Sequence, residues 1–172
     1  MPSAYKTTQV PVARSQEAIR QLLRNFNVRG VQFSEDFETR VINVRFAKEV
    51  AGNMRTVSVS MTVPEPPPVK RARSVSYRRG RMVYSKTIGE RQEQMARATY
   101  RALHDWLKAQ FVAVEFGLLT FEDVFLSHFE WILKDGSVST VGALVKQRIE
   151  NRPGFLLESK MTDDDILEGK VV

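Results

Sequence analysis

The sequence predicts an α+β domain: a helix, then a three-stranded antiparallel sheet, then a basic hairpin or arm and a mainly helical half. Three observations predict it. Apolar side chains recur at helical spacing in residues 15–26, and three stretches within residues 31–63 alternate between apolar and polar side chains, as in strands with one buried face. Residues 90–116 contain neither proline nor glycine, which favours one long helix.

The first helix is expected to follow an extended lead-in, because Pro11 disfavours helix within residues 1–14. Ser15 is predicted to cap the helix, with Glu17 in its first turn, where the helix dipole favours an acid. Four apolar side chains then lie at i, i+3, i+4 and i+7: Ile19, Leu22, Leu23 and Phe26. This spacing places them on one face, which should be buried.

The period then drops to two, which predicts strands within residues 31–33, 42–46 and 57–63. Gly52-Asn53 is expected to form the turn between the second and third strands. The polar face of this sheet is expected to be solvated, as ordinary outer faces are: Asn43, Arg45, Thr56, Ser58, Ser60 and Thr62.

The proline run at residues 64–68 ends the sheet, because proline lacks the N–H that a strand ladder needs. The following residues, 69–86, are basic and carry scattered apolar side chains. They fit either a mobile arm or a hairpin with Arg79-Gly80 at its tip. We expect the hairpin, projecting from the globule with Arg78, Arg79 and Arg81 at or near its tip and with its apolar residues anchoring its base or contacting a partner.

The second half is predicted to contain three helices. The long one, at residues 90–116, ends at Gly117, and Thr120 with Asp123 forms a capping box for the next. That helix is expected to run to Asp135-Gly136, and a short last helix to span residues 140–150. Seven aromatic residues are predicted to form the helical core, although an exposed Trp131 would indicate an interface: Trp106, Phe111, Phe116, Phe121, Phe125, Phe129 and Trp131.

We therefore expect a single domain over residues 1–157, with an αβββ subregion at 15–63, a spacer and basic arm at 64–89, and a helical subregion at 90–150. Residues 158–172 are predicted to be an acidic, flexible tail.

Charge is concentrated in one segment. The formal net charge is +6, yet seven basic residues and no acidic one lie between Pro66 and Gly89, so the rest of the chain carries −1. Such a segment can neutralise phosphates, and tyrosines within it can stack on unpaired bases. The predicted nucleic-acid contacts (DNA or RNA) are Lys70, Arg71, Arg73, Tyr77, Arg78, Arg79, Arg81, Tyr84 and Lys86, extended along the long helix by Arg97 and Arg101. On spacing alone, a solvated helix face that Glu93 and Asp105 partly neutralise explains the last two better than a binding surface does.

A second interpretation is a protein-binding module, in which the same charges contact an acidic partner or a host protein, or the chain self-associates. A metal-dependent nuclease is a minor alternative, because Glu158-Ser159-Lys160 has the Glu-x-Lys spacing and Asp135 lies upstream. We expect no enzyme, metal or cofactor. The chain has no cysteine, and its two histidines, His104 and His128, lack the spacing of paired ligands.

The opening residues Tyr5-Lys6-Thr7-Thr8-Gln9-Val10-Pro11-Val12, with Val31-Gln32-Phe33, resemble a group of small uncharacterised bacteriophage and prophage proteins. Trp106-Leu107-Lys108-Ala109 and Glu115-Phe116-Gly117 resemble the second half of the same group. The resemblance implies mobile-element origin and carries no site residues. Because no signal peptide or apolar spanning run is seen, no membrane role is expected, and the chain is expected to act in the cytoplasm, that of the host if phage-encoded.

Overall fold

A computed structural model of the protein describes residue 5 and residues 7–66, 75–78, 81–84 and 87–151, with the backbone alone in the two short central ranges. The elements in this part of the chain are, in order, α1 (Val12–Asn25), β1 (Gly30–Asp36), β2 (Val41–Val50), β3 (Asn53–Thr62), β4 (Val75–Arg78), β5 (Arg81–Tyr84), α2 (Ile88–Glu115), α3 (Phe121–Phe125), a 3-10 turn (Leu126–His128), β6 (Glu130–Ile132), β7 (Val138–Thr140) and α4 (Val141–Asn151). The predicted α+β class is confirmed.

Helix α1 begins earlier than the sequence indicates. Pro11 stands at its N-cap with φ −60°, and Val12 is the first helical residue. The prediction that Ser15 caps the helix is therefore wrong: Ser15 is buried within it. Proline suits the start of a helix because its φ is already helical and its missing N–H would find no partner there.

The three long strands form one antiparallel sheet in the order β1-β2-β3. Val44 lies opposite Phe33 on one side and Val59 on the other, so the apolar positions of all three strands share one face. The turn between β2 and β3 consists of Ala51 and Gly52, both with positive φ, one residue earlier than predicted. Two positive φ values in a two-residue loop match the turn that follows the twist of a hairpin.

Helices α1 and α2 pack together on this apolar face. Phe111 of α2 stacks on Phe26 of α1 at 4.6 Å between ring centroids and contacts Phe46 of β2 at 6.2 Å. The core residues are Ile19, Leu23, Ile42, Val44, Phe46, Val57, Val59, Tyr100, Leu103, Leu107, Phe111, Phe121, Phe125 and Phe129. Aromatic rings at edge-on or offset angles dominate its centre, where α3 meets β2 and α2.

The region after α3 differs from the prediction of a helix as far as Asp135. The helix stops at Phe125, and residues 130–132 and 138–140 form an antiparallel hairpin. Two interactions favour strand here: Phe129 bridges to Val57 of β3, and the Asp135 carboxylate accepts a hydrogen bond from the Ser137 amide at 2.9 Å, which closes the turn. Trp131 therefore lies on a strand, 49% exposed, and is not part of the predicted aromatic core. Phe116 is also exposed, whereas the predicted last helix is confirmed as α4.

The polar face of the sheet is only partly solvated. Arg45 forms a bidentate ion pair with Glu130 of β6, with Nε–Oε1 at 2.7 Å and NH2–Oε2 at 2.5 Å. Ser58 exchanges hydrogen bonds with Asn43 and is only 8% exposed. The β6–β7 hairpin is thus tied to the sheet through Arg45, a connection that residue spacing did not indicate. Within the residues described, no helix is both long and apolar enough to cross a membrane. The predicted tail, residues 158–172, lies outside those residues.

Candidate functional site

The basic segment contains a β-ribbon. Strands β4 and β5 pair antiparallel, with Val75 opposite Tyr84 and Arg78 opposite Arg81. Of the two interpretations of this segment, the pairing favours the hairpin, with residues 79 and 80 joining its strands. Five of the predicted contacts lie outside the described residues: Lys70, Arg71, Arg73, Arg79 and Lys86.

The register separates the predicted contacts into two sets. Because alternate residues of a strand share a face, Arg78 and Arg81 belong to one face of the ribbon, and Tyr77 and Tyr84 to the other. Like charges directly opposite each other destabilise a strand pair. The ribbon therefore places two arginines, Arg78 and Arg81, directly opposite each other across its strands.

The described residues on either side of the basic segment lie near one cleft. Pro66, the last described residue before the segment, lines that cleft, as do Gln92 and Ala96 in the first turns of α2. A capping box fixes the start of α2: the Glu90 amide donates to Thr87 Oγ1 at 3.2 Å, and the Thr87 amide donates to Glu90 Oε2 at 2.7 Å. The chain before the segment, at Pro66, and the chain after it, at the start of α2, are therefore both positioned near the cleft.

The cleft has a volume of about 340 Å³, within the range typical of small-molecule sites. Most of its lining is apolar, and Ile42 at its floor belongs to the core. The lining residues are Glu35, Asp36, Phe37, Arg40, Val41, Ile42, Val63, Pro64, Pro66, Gln92 and Ala96. Phe37 stands at the rim in the loop between β1 and β2 and is 85% exposed.

Glu35 is fixed in the cleft wall by a buried tyrosine. The Tyr100 hydroxyl donates to Glu35 Oε1 at 2.5 Å, and Gln16 Nε2 donates to the same hydroxyl at 2.9 Å. Burial, together with this hydrogen bond to a carboxylate, raises the pKa of Tyr100 well above its ordinary value of 10.0, so the hydroxyl keeps its proton. Glu35 Oε2 has no hydrogen-bond partner among the described residues, which leaves it available to a ligand.

The other two charged side chains that line the cleft, Asp36 and Arg40, interact with neighbouring groups of the protein. Asp36 Oδ1 accepts hydrogen bonds from the amides of Glu38 and Thr39 at 2.9 and 3.1 Å, and hydrogen bonds from Thr39 and Glu38 lower the pKa of Asp36. The Arg40 guanidinium pairs with Glu65 at 3.0 Å. Among the described residues, no hydrogen-bond partner is present for Glu35 Oε2 or for the Gln92 side-chain amide, both of which line the cleft.

The predicted extension along α2 is ion-paired. Arg97 pairs with Glu93, and Arg101 Nε lies 3.5 Å from Asp105 Oδ2. Asp105 also accepts a hydrogen bond from the Tyr5 hydroxyl at 2.6 Å. Phosphate contact at Arg97 or Arg101 therefore has to compete with an acid that the fold already places beside each.

The sequence patterns did not single out Glu35, Phe37 or Tyr100 as site residues. The pairing of Glu35 with Tyr100 spans 65 positions, so no local pattern could indicate it. Among the described residues, no three His, Asp or Glu side chains are grouped as metal ligands; Glu158 and Lys160 lie outside them.

A second exposed feature lies on the β6–β7 hairpin. Ile132 and Val138 are cross-strand partners, 73% and 56% exposed, and Trp131 is adjacent on β6. Such a patch of large apolar side chains is typical of a contact surface. Comparison of the chain with protein-family models, with curated proteins and with solved structures gives no match.

Proposed function

We propose that the protein is a nucleic-acid-binding accessory protein that contacts phosphates through the basic ribbon at residues 75–84 and its flanking lysines and arginines. One observation supports this above all: the register places Arg78 directly opposite Arg81, in a stretch from Pro66 to Gly89 that contains no acidic residue. The pair is electrostatically unfavourable alone and favourable around a phosphate.

The physical argument rests on counterion release. Each phosphate neutralised by lysine or arginine releases condensed cations, which gives affinity without sequence preference. With −1 on the remainder of the chain, the ribbon is the main source of attraction for a polyanion. A phage-type origin and action in a host cytoplasm are part of the proposal and rest on the sequence resemblance alone.

The test is binding of fluorescein-labelled single- and double-stranded DNA, measured by anisotropy. Changing Arg78, Arg79 and Arg81 to alanine should weaken binding by about tenfold or more at low salt, since three side chains that neutralise phosphates are removed. The control with equal charge loss changes Arg14, Arg24 and Arg29, which are exposed on α1 and just before β1. Equal weakening by both variants would show that net charge, and not the ribbon, drives binding.

A protein-binding module is the second candidate, and the exposed Trp131, Ile132 and Val138 favour it. If this hairpin contacts a host protein, a partner should be retained from nuclease-treated host lysate by the native chain. The Ile132→Ser/Val138→Ser variant should lose that partner, whereas the Arg78/Arg79/Arg81 variant should keep it. Retention by both variants would remove the hairpin as the contact surface.

A further inference from the structure

We propose that the cleft beside the basic ribbon binds one unstacked nucleobase that carries an exocyclic amine, with Phe37 stacking on the ring and Glu35 accepting the amine N–H. This inference rests on the proposed nucleic-acid function and adds a base-reading site to it. Its basis is a set of three features in one place: an exposed aromatic rim, a carboxylate held in a fixed position, and an apolar floor.

The position of the cleft relative to the ribbon is the first argument. Pro66 on one wall and Gln92 on the other bracket the basic segment along the chain. Eight residues separate Pro66 from β4, and two separate β5 from Thr87, the cap of α2. At no more than about 3.6 Å per residue, the second connection keeps the end of the ribbon within roughly 10 Å of the α2 N-terminus. The base of the ribbon therefore lies within reach of the cleft for one nucleic-acid strand that contacts both.

Charge is the second argument. Glu35, Asp36 and Glu38 are acidic and exposed, so a phosphate is repelled from this loop. A planar ring that carries an N–H donor suits the cleft instead. Such a ring would cover the apolar side chains of Ile42, Val63 and Pro64 and would donate a hydrogen bond to Glu35 Oε2. Phosphates and base are thus held by different groups, the ribbon and the cleft.

The chemistry of Glu35 gives the specificity. A carboxylate accepts a hydrogen bond from the N4 amine of cytosine, whereas thymine presents a carbonyl oxygen at the equivalent position. Tyr100 and Gln16 hold Glu35 in place, so the carboxylate cannot easily turn away from an unsuitable base. Gln92, whose amide has no hydrogen-bond partner among the described residues, supplies both a donor and an acceptor for the rest of the base edge.

Phe37 supplies the stacking surface. It is a large apolar side chain, 85% exposed at a loop tip, and contributes nothing to the core. Base–aromatic stacking is tolerant of base identity, so Phe37 should strengthen binding to every oligonucleotide, and Glu35 should discriminate between them.

The experiment compares oligo(dC) with oligo(dT), each about 15 nucleotides long, by fluorescence anisotropy with the full chain. Both are pyrimidine strands with little self-stacking. The native protein should bind oligo(dC) at least about fivefold more tightly, the lower end of the discrimination that one good base contact provides. Glu35→Gln should abolish this ratio and leave oligo(dT) binding unchanged. Glu38→Gln, in the same loop but outside the cleft, is the matched control and should preserve the ratio.

Phe37→Ala should weaken binding of both oligonucleotides by about fivefold or more without altering the ratio, and Phe37→Trp should restore the affinity. The Arg78/Arg79/Arg81 variant should weaken both and also keep the ratio. If that arginine variant loses affinity while the native chain binds oligo(dC) and oligo(dT) equally, the cleft does not read bases although the ribbon binds phosphates. If no oligonucleotide binds, the proposed function itself fails.

Discussion

The Tyr100 hydroxyl, buried at the centre of α2, donates a 2.5 Å hydrogen bond to the carboxylate of Glu35 at the end of β1. It is the polar link between the core and the wall of the cleft. Tyr100 has no exposed surface, whereas Glu35 lies at the surface. A buried side chain of the core therefore fixes the position of a carboxylate at the surface.

Tyr100→Phe should lower the free energy of unfolding by about 1–2 kcal/mol, because a hydrogen bond to a charged acceptor is removed and the Gln16 amide keeps only its longer 3.5 Å hydrogen bond to Glu35 Oε1. The native pKa of Tyr100 is raised above 10.0, so an unfolded chain releases this proton at lower pH than the folded one. The contribution of the Tyr100 hydroxyl to the free energy of unfolding is therefore present below pH about 10 and is lost as the pH rises above it. Urea unfolding at pH about 8 and about 10.5 should show native and variant stabilities converging at the higher pH; an unchanged difference would contradict this assignment.

His128 should make the protein less stable as the pH falls below neutrality. Burial, with a smaller effect of Lys146, lowers the pKa of His128 below 6.5, despite a hydrogen bond with the Ser58 backbone that acts in the opposite direction. The unfolded chain thus takes up a proton first as pH falls, and stability is lost from about pH 6.5 downward. His128→Gln should show a smaller loss between pH about 7.5 and 5 in thermal unfolding. An equal loss of thermal stability in the native chain and the variant would mean that other groups cause the pH dependence.

Gly142 at the start of α4 is expected to be intolerant of a side chain. A Cβ there would lie 2.7 Å from the Ser127 carbonyl oxygen, a backbone atom that cannot rotate away. Gly142→Ala should destabilise the protein by about 1–3 kcal/mol through displacement of α4 from the 3-10 turn. Gly89→Ala is the control, since its Cβ meets nothing within 4 Å and alanine favours helix, so it should leave stability equal or raise it by about 0.5–1 kcal/mol. Equal melting temperatures for the two variants would contradict the packing argument.

Local patterns predicted the elements in which apolar side chains recur at a regular helical or strand period. The alternation from Val57 to Val63 specified a strand, and the spacing of Ile19 and Leu23 specified the buried face of α1. The helix predicted after Phe121 failed at Phe129, because pairing with Val57, a residue 72 positions away, decides the conformation there. The cleft could not be predicted for the same reason. Its wall depends on Glu35 meeting Tyr100, and its rim depends on how the loop carrying Phe37 faces α2.

The central claim is that residues 70–86 bind phosphates, and the salt dependence of DNA affinity tests it most directly. For the native chain, the logarithm of the association constant should fall linearly with the logarithm of salt concentration. Changing Arg78, Arg79 and Arg81 to alanine should make the slope shallower by about 2–3, close to one unit for each phosphate that is no longer neutralised. The Arg14/Arg24/Arg29 control should retain the native slope. Parallel lines for the native chain and the Arg78/Arg79/Arg81 variant would contradict the account, because the ribbon would then neutralise no phosphate.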